Sequence, residues 1–549
     1  LKEEEGLRVR VFMSPRASRV TFSLLLAILA LGAMVMLSMA TPAGAGLAND
    51  SVAYIAGARS ILQGTGYSDI WLDSSLEAIT HYPPLLSLTL AAIGALGMDP
   101  LRGARILNIL LYGLNTALLG WLGWRMTKSR LAGLLLAALF ALNASLLRLH
   151  VFALSEPLFL FLSLLSFLFF DLAVESGQSP NTEHCSLNTA HWFLLTGFLA
   201  GLACLTRYSG LALLATFLLS IFLLHPTWRA RIMKSVFFLA GALPPLAAWF
   251  IRNKLTAGNA TNRIFQFHPI TAENLQPGVY NFSQFLMPIE PWRQALVKAG
   301  AVEGFLAVLG FVLLLWLTFR IWNVFRQPVS LSTSLPFATA LYIFAYLGAV
   351  LFSMSFFDAS TKFQPRILAP VYVSLMVLSV GALKALTTKY TKITKKTLLF
   401  FLRALTIACV GAVFGLSIYD YRFTFYDLRE AGQGYASWQW HDSVVMAELK
   451  RLPPGMAIYT NTPPAVYLVT GRASRVLPTP VDPVDNLPRG DYEQNVAQMR
   501  ADLLAGRAVL ALFDTSNLED AFGMQNVDVF TAGLTMLQKA QGDSLYGKP

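Results

Sequence analysis

Eleven stretches of this chain are apolar for long enough to approach or span a hydrocarbon layer, and nothing else in the sequence narrows its possible folds so far. A bilayer core of about 30 Å takes roughly 20 helical residues. Windows of that length pick out residues 21–40, 104–124, 131–147, 154–172, 192–206, 208–224, 233–251, 304–319, 336–356, 367–386 and 398–419. Hydrophobic residues make up 55% of the 549 and charged residues 13%, which excludes an ordinary cytosolic enzyme. The stretch from Pro84 to Met98 is too short to cross and reads as an interfacial or re-entrant helix. The first stretch follows Arg8, Arg10, Arg16 and Arg19 and precedes small residues, as a cleaved signal would, but its length favours a retained anchor.

The formal charge of +11 is informative through its placement. With the N-terminus cytoplasmic, the connections on that side hold 18 Lys and Arg, against 12 in the opposite connections up to residue 366. The bias is clearest in the short basic run of Lys389, Lys392, Lys395 and Lys396, which reads as a topology determinant. An odd number of crossings then puts the C-terminal tail outside, in a multi-pass protein of the plasma membrane. Three cysteines make no disulfide framework: Cys185 falls in a polar loop, Cys204 and Cys409 in apolar blocks.

Two outer segments, 41–103 and 252–303, are too long to be mere connectors. From about Tyr421 the apolar blocks shrink to strand length. Residues 441–452 and 492–504 read as helices and 456–460 and 508–513 as strands. The expected organisation is therefore a polytopic α-helical membrane domain over 1–420, with about 11 transmembrane helices, and a soluble extracytoplasmic α/β domain over 421–549.

Charges inside membrane spans are costly, so their depth matters. Almost none is central. Glu156 opens the fourth stretch, Arg102 and Arg105 the second, and Arg366 the tenth; Arg207 sits in the turn between the fifth and sixth, and Asp50 in the first outer loop. Two carboxylates and four guanidiniums thus share one expected face, the one that positive-inside statistics disfavour for arginine. A base with fixed cations suits chemistry on an anionic lipid head group, because the guanidinium fork binds phosphate oxygens bidentately and stays charged. Helix-end anchoring is the alternative for any one arginine. Asp69, Asp73 and Glu77 read as solvated loop charges, the two aspartates doubling as reserve candidates for the base. Trp71, Trp249 and Trp292 read as interfacial aromatics.

The strings AGLANDSVAYIAGARSILQGTGYSD, THYPPLLSLTLAAIG, RGARILNILLYG, LSEPLFLFL, LTRYSGLALL and FQPRILAPVYV occur in this order over roughly residues 20–390. Together they resemble the GT-C fold membrane glycosyltransferases, in particular the group of protein mannosyltransferases and aminoarabinose transferases (glycosyltransferase family 39-like). The resemblance implies a donor sugar on a polyprenyl phosphate and transfer to a lipid, glycan or protein acceptor on the outer face. It implies Asp50 as catalytic base and Glu156 as a second acidic residue. Arg105, Arg207, Arg366 and His81 become candidates for the donor phosphate, and Tyr54, Tyr82 and Arg102 for the substrate loop. Asn49 stands before Asp50 where some members carry an acidic pair. One loop carboxylate with Glu156 is a thin shell for an oxygen-loving cation, so a divalent metal stays open and no cofactor is assigned. The tail string GYASWQWHDSVVMAELKRLPPGMAIYTNTPPAVYLVTGR is similar to tails of some bacterial members and carries no assignable chemistry.

The physical requirements agree: inverting transfer needs a base on the acceptor hydroxyl, which Asp50 supplies, and cations beside the departing phosphate. No phosphate loop, GxSxG, HExxH or CxxC pair supports ATP-driven transport, serine hydrolysis or zinc chemistry. Membrane lipid is an expected partner and nucleic acid is not. The rival from another class is a secondary transporter or lipid flippase, which would place its ionisable groups near the midplane and commonly shows inverted repeats.

Overall fold

The computed structural model describes residues 15–73, 76–176, 187–258, 260, 265–324, 334–358, 361–390, 396–481, 487–514, 524–540 and 542–548. Cys185, the N-terminal Arg8 and Arg10, and the side chains of Arg16 and of Lys389 to Lys396 lie outside what is described. The chain opens with α1 (Pro15–Ala40), α2 (Asn49–Leu62), α3 (Leu85–Ala95), α4 (Pro100–Thr127), α5 (Arg130–Ala141), α6 (Ala144–Val151), α7 (Glu156–Ser176) and α8 (Leu187–Cys204). It continues with α9 (Leu211–Leu224), α10 (Trp228–Ala257), α11 (Ala272–Leu286), α12 (Glu290–Lys298), α13 (Ala301–Val324), α14 (Ser334–Phe356), α15 (Pro365–Tyr390) and α16 (Lys396–Ala431).

Ten of the eleven apolar stretches fall essentially on one helix each and the remaining one on two, and the helices differ in reach. Among the described residues, seven are long and apolar enough to cross a membrane: α1, α4, α7, α10, α13, α14 and α15. The stretch expected as one span at 131–147 is α5 and α6, bent by 59° at their junction, and counting that pair as a single span gives eight. The bend has a local cause: the Asn143 side chain accepts from the Leu146 amide and starts α6 as a new helix. Helices α8 and α9 are shorter apolar helices. Glycine permits the close crossing of α8 on α10, where a Cβ on Gly197 would stand 1.9 Å from the Phe238 carbonyl oxygen and one on Gly241 2.0 Å from that of Leu194.

The connection between α1 and α4 holds α2 and the short α3, whose Leu86 and Leu90 are buried against the bundle. The long α16 carries the chain past Tyr421 to Ala431, where the tail begins to fold back.

The tail contains α17 (Trp438–His441), α18 (Val444–Arg451), β1 (Ala457–Thr460), α19 (Pro463–Thr470), β2 (Arg475–Val476), α20 (Tyr492–Leu504), β3 (Ala508–Leu512), α21 (Met524–Thr531), β4 (Thr535–Ala540) and β5 (Asp543–Gly547). The helix expected over 441–452 is α18, which begins three residues later than expected because the Ser443 hydroxyl accepts from the Met446 amide and starts it there. The strands form one sheet in the order β2-β1-β3-β5-β4, parallel from β2 to β3 and antiparallel beyond. β3 is buried at every position, as a central strand covered on both faces must be. Alternation along β1 and β3 sends Ile458, Val509 and Ala511 to a core with Val445, Leu449 and Val466, and Tyr459, Leu510 and Leu512 to another with Met499, Leu503 and Phe530.

Candidate active site

Four chain segments far apart in sequence deliver the charged side chains to one point. Asp50 lies in the first turn of α2, Glu156 is the first residue of α7, and Arg366 follows the Pro365 that opens α15. Arg207 sits in extended backbone between α8 and α9. A helix N-terminus favours negative charge, which suits both carboxylates. Nη1 of Arg366 donates to Oδ2 of Asp50 at 2.5 Å and lies 3.8 Å from Oε1 of Glu156. Nη1 of Arg207 bonds the same Glu156 oxygen and also reaches the Ser155 hydroxyl at 3.3 Å. Glu156 is 2% exposed, and its other oxygen, Oε2, has no hydrogen-bond partner. A buried carboxylate oxygen left unpaired costs free energy unless something else binds there. Asp50 is more open, its side chain 28% exposed beside Arg366 at 30%.

Tyrosines frame the carboxylates. Tyr82 donates to Oδ1 of Asp50 at 3.3 Å, Tyr54 donates to the Ser155 hydroxyl at 3.2 Å, and the two rings meet edge to face at 5.6 Å. Burial, reinforced by the Asp50 charge, raises both phenols above their ordinary pKa. Both therefore stay protonated and act as hydrogen-bond donors. His81 packs its ring against Tyr82 at 5.1 Å, at the edge of this group.

Two of the arginines singled out in the sequence are not brought to the cluster. Nε of Arg105 donates to the Thr41 hydroxyl at 3.1 Å and Nη2 to the Ser38 carbonyl at 2.9 Å, so this guanidinium closes the end of α1. Arg102 is exposed near Asp99, whose nearer partner is Arg59 at 3.0 Å. Position in the sequence puts all four arginines near helix ends, but helical phase turns Arg105 toward α1. Trp249 is 5% exposed and donates to the Tyr208 hydroxyl at 3.0 Å, so it is part of the core, whereas Trp292 is 58% exposed on α12. The loop acids also have structural partners: Oδ1 of Asp69 accepts from the Glu77 amide at 2.8 Å, and Asp73 pairs with Arg475 of the tail at 3.0 Å.

Sequence reasoning passed over Arg252 and Ser155. Arg252, near the end of α10, donates to the Ile79 carbonyl at 2.7 Å and the Tyr67 carbonyl at 2.8 Å, and its guanidinium lies 5.3 Å from the Trp249 ring. It thereby fixes the loop that presents Tyr82. The available signal was the spacing of Trp249 and Arg252 at a helix end, a pattern that suits a cation seated on an aromatic face.

The donor set does not fit a divalent cation. Each carboxylate already meets a guanidinium, only Oε2 of Glu156 is unpartnered, and among the described residues no three His, Cys, Asp or Glu side chains gather. What the arrangement offers is a carboxylate able to take a proton, two fixed cations and two phenolic donors around a partly open space.

A family model described as dolichyl-phosphate-mannose-protein mannosyltransferase matches residues 79–252, a span that includes Tyr82, Glu156, Arg207 and Arg252. No curated protein matches the chain in sequence. Among solved structures, ArnT from Cupriavidus metallidurans bound to undecaprenyl phosphate aligns over 97% of this chain and 98% of its own, with 13% identity and a TM-score of 0.54. The oligosaccharyltransferase of Archaeoglobus fulgidus, tethered to an acceptor peptide, aligns over 94% of this chain and 72% of its own, with 12% identity and a TM-score of 0.58. The oligosaccharyltransferase AglB from Archaeoglobus fulgidus, in complex with an inhibitory peptide and a dolichol-phosphate, gives 14% identity and a TM-score of 0.54, over 91% of this chain and 70% of its own. The chain therefore has the fold of the GT-C membrane glycosyltransferases and, within that fold, resembles the protein mannosyltransferase and aminoarabinose transferase group.

Proposed function

We propose that this protein is an integral membrane glycosyltransferase that moves a sugar, a hexose or a pentose, from a polyprenyl phosphate to a lipid, glycan or protein acceptor at the outer face of the plasma membrane. The observation that carries the reading is the convergence of Asp50, Glu156, Arg207 and Arg366 from four separate segments. Asp50 takes the proton from the acceptor hydroxyl, whose oxygen forms a bond to the sugar's anomeric carbon as the carbon–phosphate oxygen bond breaks on the opposite face, with inversion. Arg366 and Arg207 hold the charge gathering on the departing phosphate. Arg366 is bonded to Oδ2 of Asp50, and a phosphate that draws the guanidinium to itself releases that oxygen to act as base. His81 and Tyr54 complete the donor side, and Tyr82 keeps Asp50 oriented.

A cavity of about 520 Å³ supports a long apolar donor. It is lined by residues such as Leu139, Phe285, Leu309, Tyr372, Met376 and Val413, from α5, α11, α13, α15 and α16. Tyr372 stands on the same helix as Arg366, about 9 Å along the axis by helical rise. The ArnT and AglB structures hold undecaprenyl phosphate and a dolichol-phosphate, molecules of the chemistry proposed here. Carboxylates at helix ends rather than mid-span weigh against the transporter or flippase alternative. The N-terminus is proposed to be cytoplasmic and the α/β domain, residues 421–549, extracytoplasmic.

The test is a mass-spectrometric comparison of cell-envelope lipids, glycans and proteins from cells lacking the chain and from the same cells complemented with wild type or with Asp50→Asn. A species one sugar heavier only in the wild-type complement is expected. Equal product from Asp50→Asn at equal protein level would reject Asp50 as base.

A further inference from the structure

The tail reaches the site through a strap of three residues, Gln433 to Tyr435. Extended backbone at Gly46 and Leu47 lies between this strap and the segment leading into α7, pairing in parallel with Phe152 on one side and Gly434 on the other. The Gly46 amide donates to the Val151 carbonyl at 3.0 Å, and the Ala153 amide to the Gly46 carbonyl at 2.8 Å. Opposite, the Leu47 amide donates to the Gln433 carbonyl at 3.1 Å, and the Tyr435 amide to the Leu47 carbonyl at 2.9 Å. Three residues after Leu47 comes Asp50, and three after Ala153 comes Glu156. The small ladder thus sets the spacing of the two carboxylates.

The centre of the strap requires glycine. Gly434 has a φ of +58°, and a Cβ there would stand 1.9 Å from the Leu47 carbonyl oxygen. The Tyr435 hydroxyl bonds Oδ1 of Asn49, the neighbour of Asp50. The Tyr435 ring packs edge-on against Trp440 at 5.0 Å, and Trp440 against Phe513, just past the end of β3, at 5.4 Å. Rigid aromatic contacts therefore run from the sheet's core to the first turn of α2. Two further contacts pin the same region: Leu72 pairs with Ser474, and the Arg59 guanidinium lies 5.7 Å from the Tyr467 ring on α19.

We propose that the Gln433–Tyr435 strap positions Asp50 against Glu156, which makes the C-terminal module part of the catalytic machinery, with Gly434 and Tyr435 as positioning residues. The catalytic half of this statement rests on the glycosyltransferase reading, and the geometric half does not. The experiment uses the full chain in lipid nanodiscs, as wild type, Gly434→Ala and Tyr435→Phe, the last keeping the ring and removing only the hydroxyl. Amide hydrogen exchange is followed over 44–52, and undecaprenyl phosphate serves as the binding probe. Product is scored in complemented cells by mass spectrometry, with Asp50→Asn as control.

Exchange over 44–52 rises about tenfold in Gly434→Ala and about threefold in Tyr435→Phe, the order expected when one or two hydrogen bonds weaken locally. Product per protein falls while affinity for undecaprenyl phosphate changes less than about twofold, a loss in turnover rather than in donor binding. Unchanged exchange over 44–52 in both variants overturns the strap as a positioning element. Faster exchange with full product overturns its catalytic importance. Full product from Asp50→Asn instead rejects Asp50 as base and leaves the exchange result standing.

Discussion

Two clusters in this protein, each around one covered carboxylate, use the same materials, carboxylates among guanidiniums and tyrosines, to opposite ends. In the tail, Asp502 is saturated. Its Oδ1 accepts from Nε and Nη2 of Arg507 at 3.2 and 2.7 Å and from Gln498 at 3.3 Å, while its Oδ2 accepts from Tyr459 at 3.0 Å and Arg475 at 3.1 Å. At the α2–α7–α15 junction, Glu156 has one oxygen between Arg207 and Arg366 and the other unpartnered, though it is no more exposed than Asp502. A cluster whose lone pairs are all filled needs no further partner, whereas one with an unmet buried oxygen beside two cations has hydrogen-bonding capacity left over, which the proposed function uses. Burial and charge alone would rank the two alike; hydrogen-bond accounting separates them.

The separation breaks first at Asp50. Asp50→Asn is expected to lower product formation by about 10²–10⁴-fold, the range of a lost general base, with donor affinity no weaker because Arg366 loses its competing anion. Glu156→Gln comes next, at about 10²-fold in turnover, since Arg207 would then face no fixed anion in a buried setting. Arg366→Ala is expected to raise the apparent KM for the polyprenyl-linked donor about tenfold, with Arg366→Lys intermediate because it keeps the charge and loses the fork. An unchanged KM in Arg366→Ala would remove this residue from the donor site. Arg252→Ala acts one step further out: it frees the Tyr67 and Ile79 carbonyls, loosens the loop bearing Tyr82, and is expected to lower turnover about three- to tenfold.

The sequence carried the helices and the layer of charge, because hydropathy and helix-end position are properties of the chain alone. Asp50, Glu156, Arg207 and Arg366 were legible for that reason. Arg105 was misassigned to the group because its direction depends on the rotation of α4 against α1, which no pattern in the chain records. The bend after Leu142 and the late start at Val444 turn on single side-chain caps, Asn143 and Ser443, that an apolar or amphipathic window averages away. The strap at Gly434 was invisible for a different reason. Its glycine is required by a carbonyl 387 positions earlier, and the motif around it has no meaning until the two segments are side by side.

The smallest expected effect is the one that sharpens the contrast most. Asp502→Asn leaves the hydrogen-bond geometry nearly available but removes the charge that Arg507 and Arg475 share. The bonds from Arg507, ahead of those from Tyr459 and Gln498, hold the Asp502 carboxyl below its ordinary pKa. A carboxyl depressed in the folded state lends stability in full above its unfolded value, near pH 4, and loses it as pH falls through the lower folded value. The wild-type tail should therefore lose stability below about pH 4 by a component that Asp502→Asn lacks, while at neutral pH the variant is less stable by about 1–3 kcal/mol. Exchange protection over 457–460 and 508–512 at pH 7 and at pH 3.5 measures both. Turnover should stay within about twofold, because Asp502 touches none of the four clustered side chains and its bond to Arg475 leads to Asp73 in the outer loop rather than to Asp50 or Glu156. A large loss of turnover with the sheet's protection intact would show that the tail's saturated cluster is not merely structural, and the distinction drawn from unpaired oxygens would fall with it.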